Sequence, residues 1–166
     1  MRNPSLSIVV LAGGRSRRLG RDKALLPFAG TILVQHVVDR LASLSTDVLV
    51  VTRVDHRFAV RGARGVEDIM PEGGVLAGIV AGLEAAHNEW CLVVGCDMPF
   101  VNPDLVGYMI SQTPGYDVVV PHPEVGYEPL HALYHQRCAP AVRRALEAGE
   151  MRVVSFYAAL RIRCIG

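Results

Sequence analysis

Along the chain, short runs that are apolar at nearly every position alternate with longer stretches whose apolar residues recur at helical spacing. Residues 6–12, 47–52, 90–95 and 117–121 are rich in valine, isoleucine or leucine. Continuous runs of this kind predict strands covered on both faces, in contrast to the in-and-out alternation of a half-exposed sheet. Residues 65–68 predict a shorter fifth strand. Between these runs, residues 32–44, 76–87, 103–111 and 137–148 predict helices. In the first, Val34, Val37, Val38, Leu41 and Leu44 form one apolar stripe, with His36, Asp39 and Arg40 largely off it. Gly149 is placed to stop the fourth helix. Residues 151–166 predict one more helix and a last strand at 161–165.

Strand alternating with helix implies an α/β fold, a three-layer sandwich with a mainly parallel sheet. In such sheets ligands bind beyond the carboxyl ends of the strands. The 166 residues suit a single domain, without internal repeat, low-complexity tract or linker. A net charge of +1 gives no global pull toward nucleic acid or an anionic membrane, so any affinity for anions must be local. No apolar run approaches the roughly 18 residues of a membrane helix, and the first residues lack a signal-peptide pattern, so a cytoplasmic location is expected. Cys91, Cys96, Cys138 and Cys164 show no paired spacing and are expected to be buried thiols, neither zinc ligands nor disulfides.

Candidate chemistry begins where the first strand ends. After Leu11 and Ala12 come Gly13 and Gly14, then Arg15, Arg17, Arg18 and Lys23. Paired glycines let the backbone bend sharply and let a ligand approach its amides, which can form an anion-binding concavity. The cations around them suit a polyphosphate, although a solvated basic loop would read the same way. The spacing fits neither a P-loop nor a dinucleotide fingerprint.

Two acidic strand ends follow. Asp97 stands at the mouth of the strand 90–95, before Met98 and Pro99. It can cap the next turn through its side chain, or serve as a hard oxygen ligand for Mg²⁺ together with substrate phosphates. Asp68 precedes Gly73 and Gly74 at the start of the second helix, where free backbone N–H groups can meet a ligand, or where a plain loop can simply turn. Ser16 and Ser111 lack a nucleophile elbow, and His56, His87 and His122 lack metal-ligand spacing.

The run Leu11-Ala12-Gly13-Gly14-x-Ser16-x-Arg18-Leu19-Gly20-x-Asp22-Lys23-Ala24-Leu25 resembles the signature loop of nucleotidyltransferases of the molybdenum cofactor guanylyltransferase type. Cys96-Asp97-Met98-Pro99 is similar to that family's metal-binding motif, and Gly74 to Gly78 to its Gly-x-Leu-Ala-Gly stretch. The segment from Glu128 to Tyr134, containing His131, resembles the part that faces the acceptor substrate. The resemblance implies a Rossmann-like nucleotidyltransferase fold and transfer of GMP from GTP to the terminal phosphate of molybdopterin. It implies nucleotide contacts from Leu11, Ala12, Gly13, Gly14, Lys23, Asp68, Gly74, Gly78 and Asp97, catalytic roles for Lys23, Asp97 and Arg18, and Mg²⁺ on Asp97. A molybdenum enzyme or another protein of the cofactor pathway would then be the recipient of the product. A cytidylyltransferase, another small-molecule phosphate nucleotidyltransferase or a nucleotide binder with little turnover shares the same loop. The chain departs from the pattern twice. Thr52 stands nearest the place of an asparagine that contacts nucleotide, and the strand and Asn-x-Asn-Thr-Pro segment with which the family normally continues past this point is expected to be lacking, which implies a shortened version or altered acceptor binding and activity.

Overall fold

The computed structural model describes residues 6–13, 15–16, 21–53, 58–68, 70, 73–122 and 126–166. Among them, Leu6–Leu11 (β1) runs through the middle of a seven-stranded sheet. Asp47–Arg53 (β6) and Trp90–Gly95 (β8) lie on either side of it, both parallel to it. Arg64–Asp68 (β7) extends one flank in parallel. On the other flank His131–His135 (β10) runs antiparallel to both β8 and Val118–Pro121 (β9). Ile162–Ile165 (β11) closes that edge, parallel to β9. The spatial order is β11-β9-β10-β8-β1-β6-β7. Four short strands, Arg15–Ser16 (β2), Arg21–Asp22 (β3), Pro27–Phe28 (β4) and Thr31–Ile32 (β5), form two hairpins after β1.

Helices cover both faces, and strand alternation decides which side chain meets which helix. Ile8, Val10, Ala12, Val50, Val94 and Leu133 pack toward Leu33–Leu41 (α1) and Pro103–Ser111 (α3). Val9, Leu49, Val51, Val93 and Tyr134 pack toward Gly74–Ala85 (α2) and Ala139–Glu147 (α4). The stripe Val34, Val37, Val38 and Leu41 is buried as expected. α3 starts at Asn102, whose side-chain oxygen accepts the Asp104 N–H at 2.9 Å, with Pro103 in the first helical position. Gly149 terminates α4 at φ +78°, in the left-handed region where glycine carries no Cβ penalty. Gly82 lets α2 lie directly on β1, because a Cβ there would collide with Val9.

Two buried carboxylates clasp the amino ends of the parallel strands, on the edge opposite the ligand side. Asp47 accepts from Ser7 Oγ at 2.6 Å, His87 N–H at 2.8 Å and Arg64 Nε at 3.0 Å. Asp117 accepts from Arg137 Nε at 2.5 Å, Arg161 N–H at 2.9 Å and Arg161 Nη2 at 3.1 Å. Burial alone would raise both carboxyls, but these donors outweigh it and hold each below the ordinary value of 3.8.

The structure corrects several expected elements. β10, in the interior of the sheet, lies in a segment expected only to face a ligand. The expected helix at the start of 151–166 is a 3₁₀ turn over Val153–Ala159, where two β-branched residues and two aromatics disfavour an α-helix. Of the four cysteines, Cys91, Cys96 and Cys138 are buried, but Cys164 is exposed on the edge strand β11. No helix among the described residues is long and apolar enough to cross a membrane.

Candidate active site

A cavity of about 620 Å³ opens at the carboxyl edge of the parallel strands, lined by Leu11, Gly13, Lys23, Val51, Arg53, Asp68, Gly74, Val75, Gly78, Gly95, Cys96, Asp97 and Leu130. Register explains the assembly. Leu11 is paired with Val51 on one side and Gly95 on the other, and Arg53 with Asp68. Strand ends in parallel register deliver their next residues to one rim, the usual place for a ligand in a sheet of this kind.

Lys23 is exposed and opens a 3₁₀ turn whose second residue, Ala24, is wholly buried. That anchor fixes the turn and leaves the lysine on the cavity side. Asp97 is exposed two residues past the end of β8. Gly95 makes room for its carboxylate: a Cβ on Gly95 would stand 2.6 Å from Asp97 Oδ1. Gly13 has a comparable role on the opposite wall, where its missing Cβ would lie 3.2 Å from Arg53 Cγ. The amino end of α2 forms a third wall. Gly74, at φ +58°, turns the chain into the helix, and no acidic residue occupies the first turn, so the positive helix end stands at the cavity that Gly74, Val75 and Gly78 line.

Asp68 is the buried acid of the site, at 7% exposure. Its Oδ1 accepts the Met70 N–H at 2.8 Å. Burial pushes its carboxyl up, against the opposing pull of the Met70 bond and the positive charge of Arg53.

Seven of the residues singled out from the sequence therefore line one cavity: Leu11, Gly13, Lys23, Asp68, Gly74, Gly78 and Asp97. Ala12 does not. It packs into the core on the far face at 1% exposure, and its N–H donates to Val51 O at 2.9 Å, extending the ladder. Gly14 and Arg18, with Arg17, Leu19, Gly20 and His56, lie outside the described residues. Thr52 points away from the cavity, while Arg53 lines it. The alternation of β6, with Leu49 and Val51 on the α2 side, could have identified Arg53 from the sequence. His131, at 6% exposure, does not line the cavity; its Nδ1 is 3.9 Å from Glu128 Oε2 and its Nε2 has no hydrogen-bond partner among the described residues. Burial lowers its pKa, against the pull of Glu128.

A parallel strand edge carrying a glycine-lined turn, a lysine, an exposed carboxylate and a helix amino end defines a nucleotide-handling α/β protein. The family described as the MobA-like NTP transferase domain matches residues 8–161, and the chain belongs to that family. It is 40% identical over 157 residues to a probable molybdenum cofactor guanylyltransferase of Pelotomaculum thermopropionicum, covering 95% of this chain and 77% of that one. A molybdenum cofactor guanylyltransferase of Desulfosudis oleivorans is 34% identical over 159 residues, covering 95% of this chain and 79% of its own length. Among solved structures, molybdopterin-guanine dinucleotide biosynthesis protein A of Archaeoglobus fulgidus superposes with a TM-score of 0.80 at 26% identity, covering 96% of this chain and 82% of the other.

Proposed function

We propose that this protein is a nucleotidyltransferase acting through residues 1–166 as one domain, which transfers GMP from GTP to the terminal phosphate of molybdopterin and releases pyrophosphate. The observation that carries this reading is the convergence of Lys23, Asp97, Gly13 and the amino end of α2 on one cavity at the carboxyl edge of β1 and β8. The names of the relatives support the choice of donor and acceptor.

In the reaction an oxygen of the acceptor phosphate attacks the α-phosphorus of GTP. A new P–O–P link forms, the bond between the α-phosphorus and the bridging oxygen breaks, and that oxygen leaves on pyrophosphate. The acceptor phosphate is already ionised at neutral pH, so no side chain need remove a proton. What the chain supplies is alignment and charge. The lysine ammonium and the turn amides hold the triphosphate, and the positive end of α2 faces the anionic donor.

The site fits Mg²⁺. No cluster of three metal-binding side chains occurs among the described residues, but this ion is commonly held by one or two carboxylates together with substrate phosphates. Asp97 would have that role here, its carboxylate seated in the room that Gly95 leaves. When bound, the ion neutralises charge on the phosphates. Pyrophosphate release from GTP, molybdopterin and Mg²⁺ tests the reading. Product that requires the acceptor supports it; GTP binding without pyrophosphate release under those conditions rejects it.

A further inference from the structure

On the guanylyl-transfer reading the donor's base needs a seat, and the β6–β7 flank of the cavity lies across β1 from the end of β8 that carries Asp97. There Arg53 ends β6 and Asp68 ends β7 as paired residues of a parallel ladder. Paired residues in such a ladder point to the same face of the sheet, with backbones about 4.8 Å apart. Both residues line the cavity, and the stem of Arg53 lies over Gly13, whose missing Cβ would be 3.2 Å from Arg53 Cγ. A guanidinium fork and a buried carboxylate therefore share one wall.

This wall is unsuited to phosphate. A carboxylate at 7% exposure repels a triphosphate laid against it, and one of its oxygens is already engaged by the Met70 N–H at 2.8 Å. It favours a group that brings hydrogen-bond donors. Guanine presents two adjacent donors, N1–H and N2–H, beside two adjacent acceptors, O6 and N7. Adenine and cytosine each place an acceptor next to their amine on the pairing edge, which faces a carboxylate badly. The acceptors O6 and N7 suit an arginine fork, the commonest specific contact to guanine.

We propose that Arg53 is a specificity-determining residue that reads O6 and N7 of the guanine ring, beside Asp68, the acid that the family resemblance already sets on the nucleotide and that here would accept from N1–H and N2–H. The pair then selects the base, and the Lys23–Asp97 flank handles the phosphates. Lysine at position 53 would keep the charge but lose the fork.

Titration calorimetry with Mg²⁺ tests this, using GTP, 7-deaza-GTP, which lacks N7, and ITP, which lacks the N2 amine. The native protein should bind each analogue about tenfold more weakly than GTP, the effect of one hydrogen bond involving a charged group. In Arg53→Lys the preference for GTP over 7-deaza-GTP should shrink to less than about threefold, while the preference over ITP persists. Equal binding of GTP and 7-deaza-GTP by the native protein overturns the proposal without any variant. Equal weakening of GTP and 7-deaza-GTP in Arg53→Lys, with their ratio unchanged, assigns the arginine to phosphate and also overturns it. Absence of GTP binding by the native protein removes the guanylyl-transfer reading itself. GTP binding without N7 dependence removes only this inference.

Discussion

The Cβ that Gly95 lacks would stand 2.6 Å from Oδ1 of Asp97. No carbon and carboxylate oxygen share that distance, so any larger residue at 95 must displace the carboxylate or the end of β8. The smallest possible side chain thereby becomes a probe of where the acid has to be. Gly95→Ala should lower kcat by about a hundredfold, the scale of a misplacement of roughly 1 Å at a reacting centre, with little change in GTP affinity without metal. Steady-state kinetics beside thermal unfolding checks it, and full activity would separate Asp97 from the chemistry.

Asp97→Asn removes the negative charge and keeps the shape. Mg²⁺-dependent enhancement of GTP binding should vanish and turnover fall by at least about a hundredfold. Lys23→Ala should instead raise the GTP dissociation constant by roughly tenfold or more, the loss of one charge-assisted contact. Calorimetry with and without magnesium distinguishes the two patterns.

Asp68 combines cost and use in one side chain. Burial raises its folded pKa, so its charged form opposes folding above the unfolded value, and that opposition is relieved as pH falls. Asn at this position retains an acceptor for the Met70 N–H and carries no charge. Asp68→Asn should raise the Tm of the ligand-free protein and weaken GTP binding by about tenfold. A lower Tm would place the residue among the structural acids.

Asp47 and Asp117 have the opposite sign. Their folded pKa values lie below the ordinary 3.8, so the unfolded chain binds more protons in the interval between the folded and unfolded values. Their stabilisation is complete above the unfolded value and is lost as pH falls through the folded ones. The contribution of these two acids to the urea midpoint should stay level from about pH 7 to 5 and decline below about pH 4, while His131, whose pKa burial lowers, adds a separate loss as pH falls below its unfolded value of 6.5. Asp47→Ala, which strands the Ser7 hydroxyl and the His87 amide, should cost about 2–3 kcal/mol at pH 7.

Two glycines on successive turns of α2 should respond differently to alanine. At Gly82 the new methyl group collides with Val9 in the centre of the sheet, and Gly82→Ala should cost about 2–3 kcal/mol. At Gly78 it meets Leu11 Cδ2 at 3.2 Å, and Leu11 lines the cavity and can move into it. Gly78→Ala should therefore lose GTP affinity with a smaller loss of stability, measured by calorimetry and urea unfolding.

Much of this architecture was readable in the residue pattern because the buried parallel strands are nearly uniform in composition. Leu6–Leu11 and Trp90–Gly95 can satisfy themselves only between two helical layers. β10 escaped because its five residues, His131–His135, carry a histidine at each end, masking a strand whose centre is fully buried. Asp97 stood out as a carboxylate directly after a buried run, costly if left unpaired, and Asp68 through its place ahead of the glycines that open α2. Arg53 was missed for a different reason: which of two neighbouring residues enters a cavity depends on strand phase, and Thr52 and Arg53 differ by one step. Ala12 shows the same phase effect in reverse, adjacent to the turn in sequence yet directed into the opposite core layer.

The reversed direction of β10 divides the working rim into two parts with separate constraints. On the side of β1, β6 and β7 neighbouring strands run parallel, so the chain that leaves each strand at the rim must return to the opposite edge of the sheet before the next begins. On the side of β9 and β10 neighbouring strands run antiparallel, so the chain that leaves the sheet at Pro121 re-enters it on the same rim at His131. One flank of the rim is therefore tied through its connections to the body of the domain, and the other is spanned by a single link between neighbouring strands.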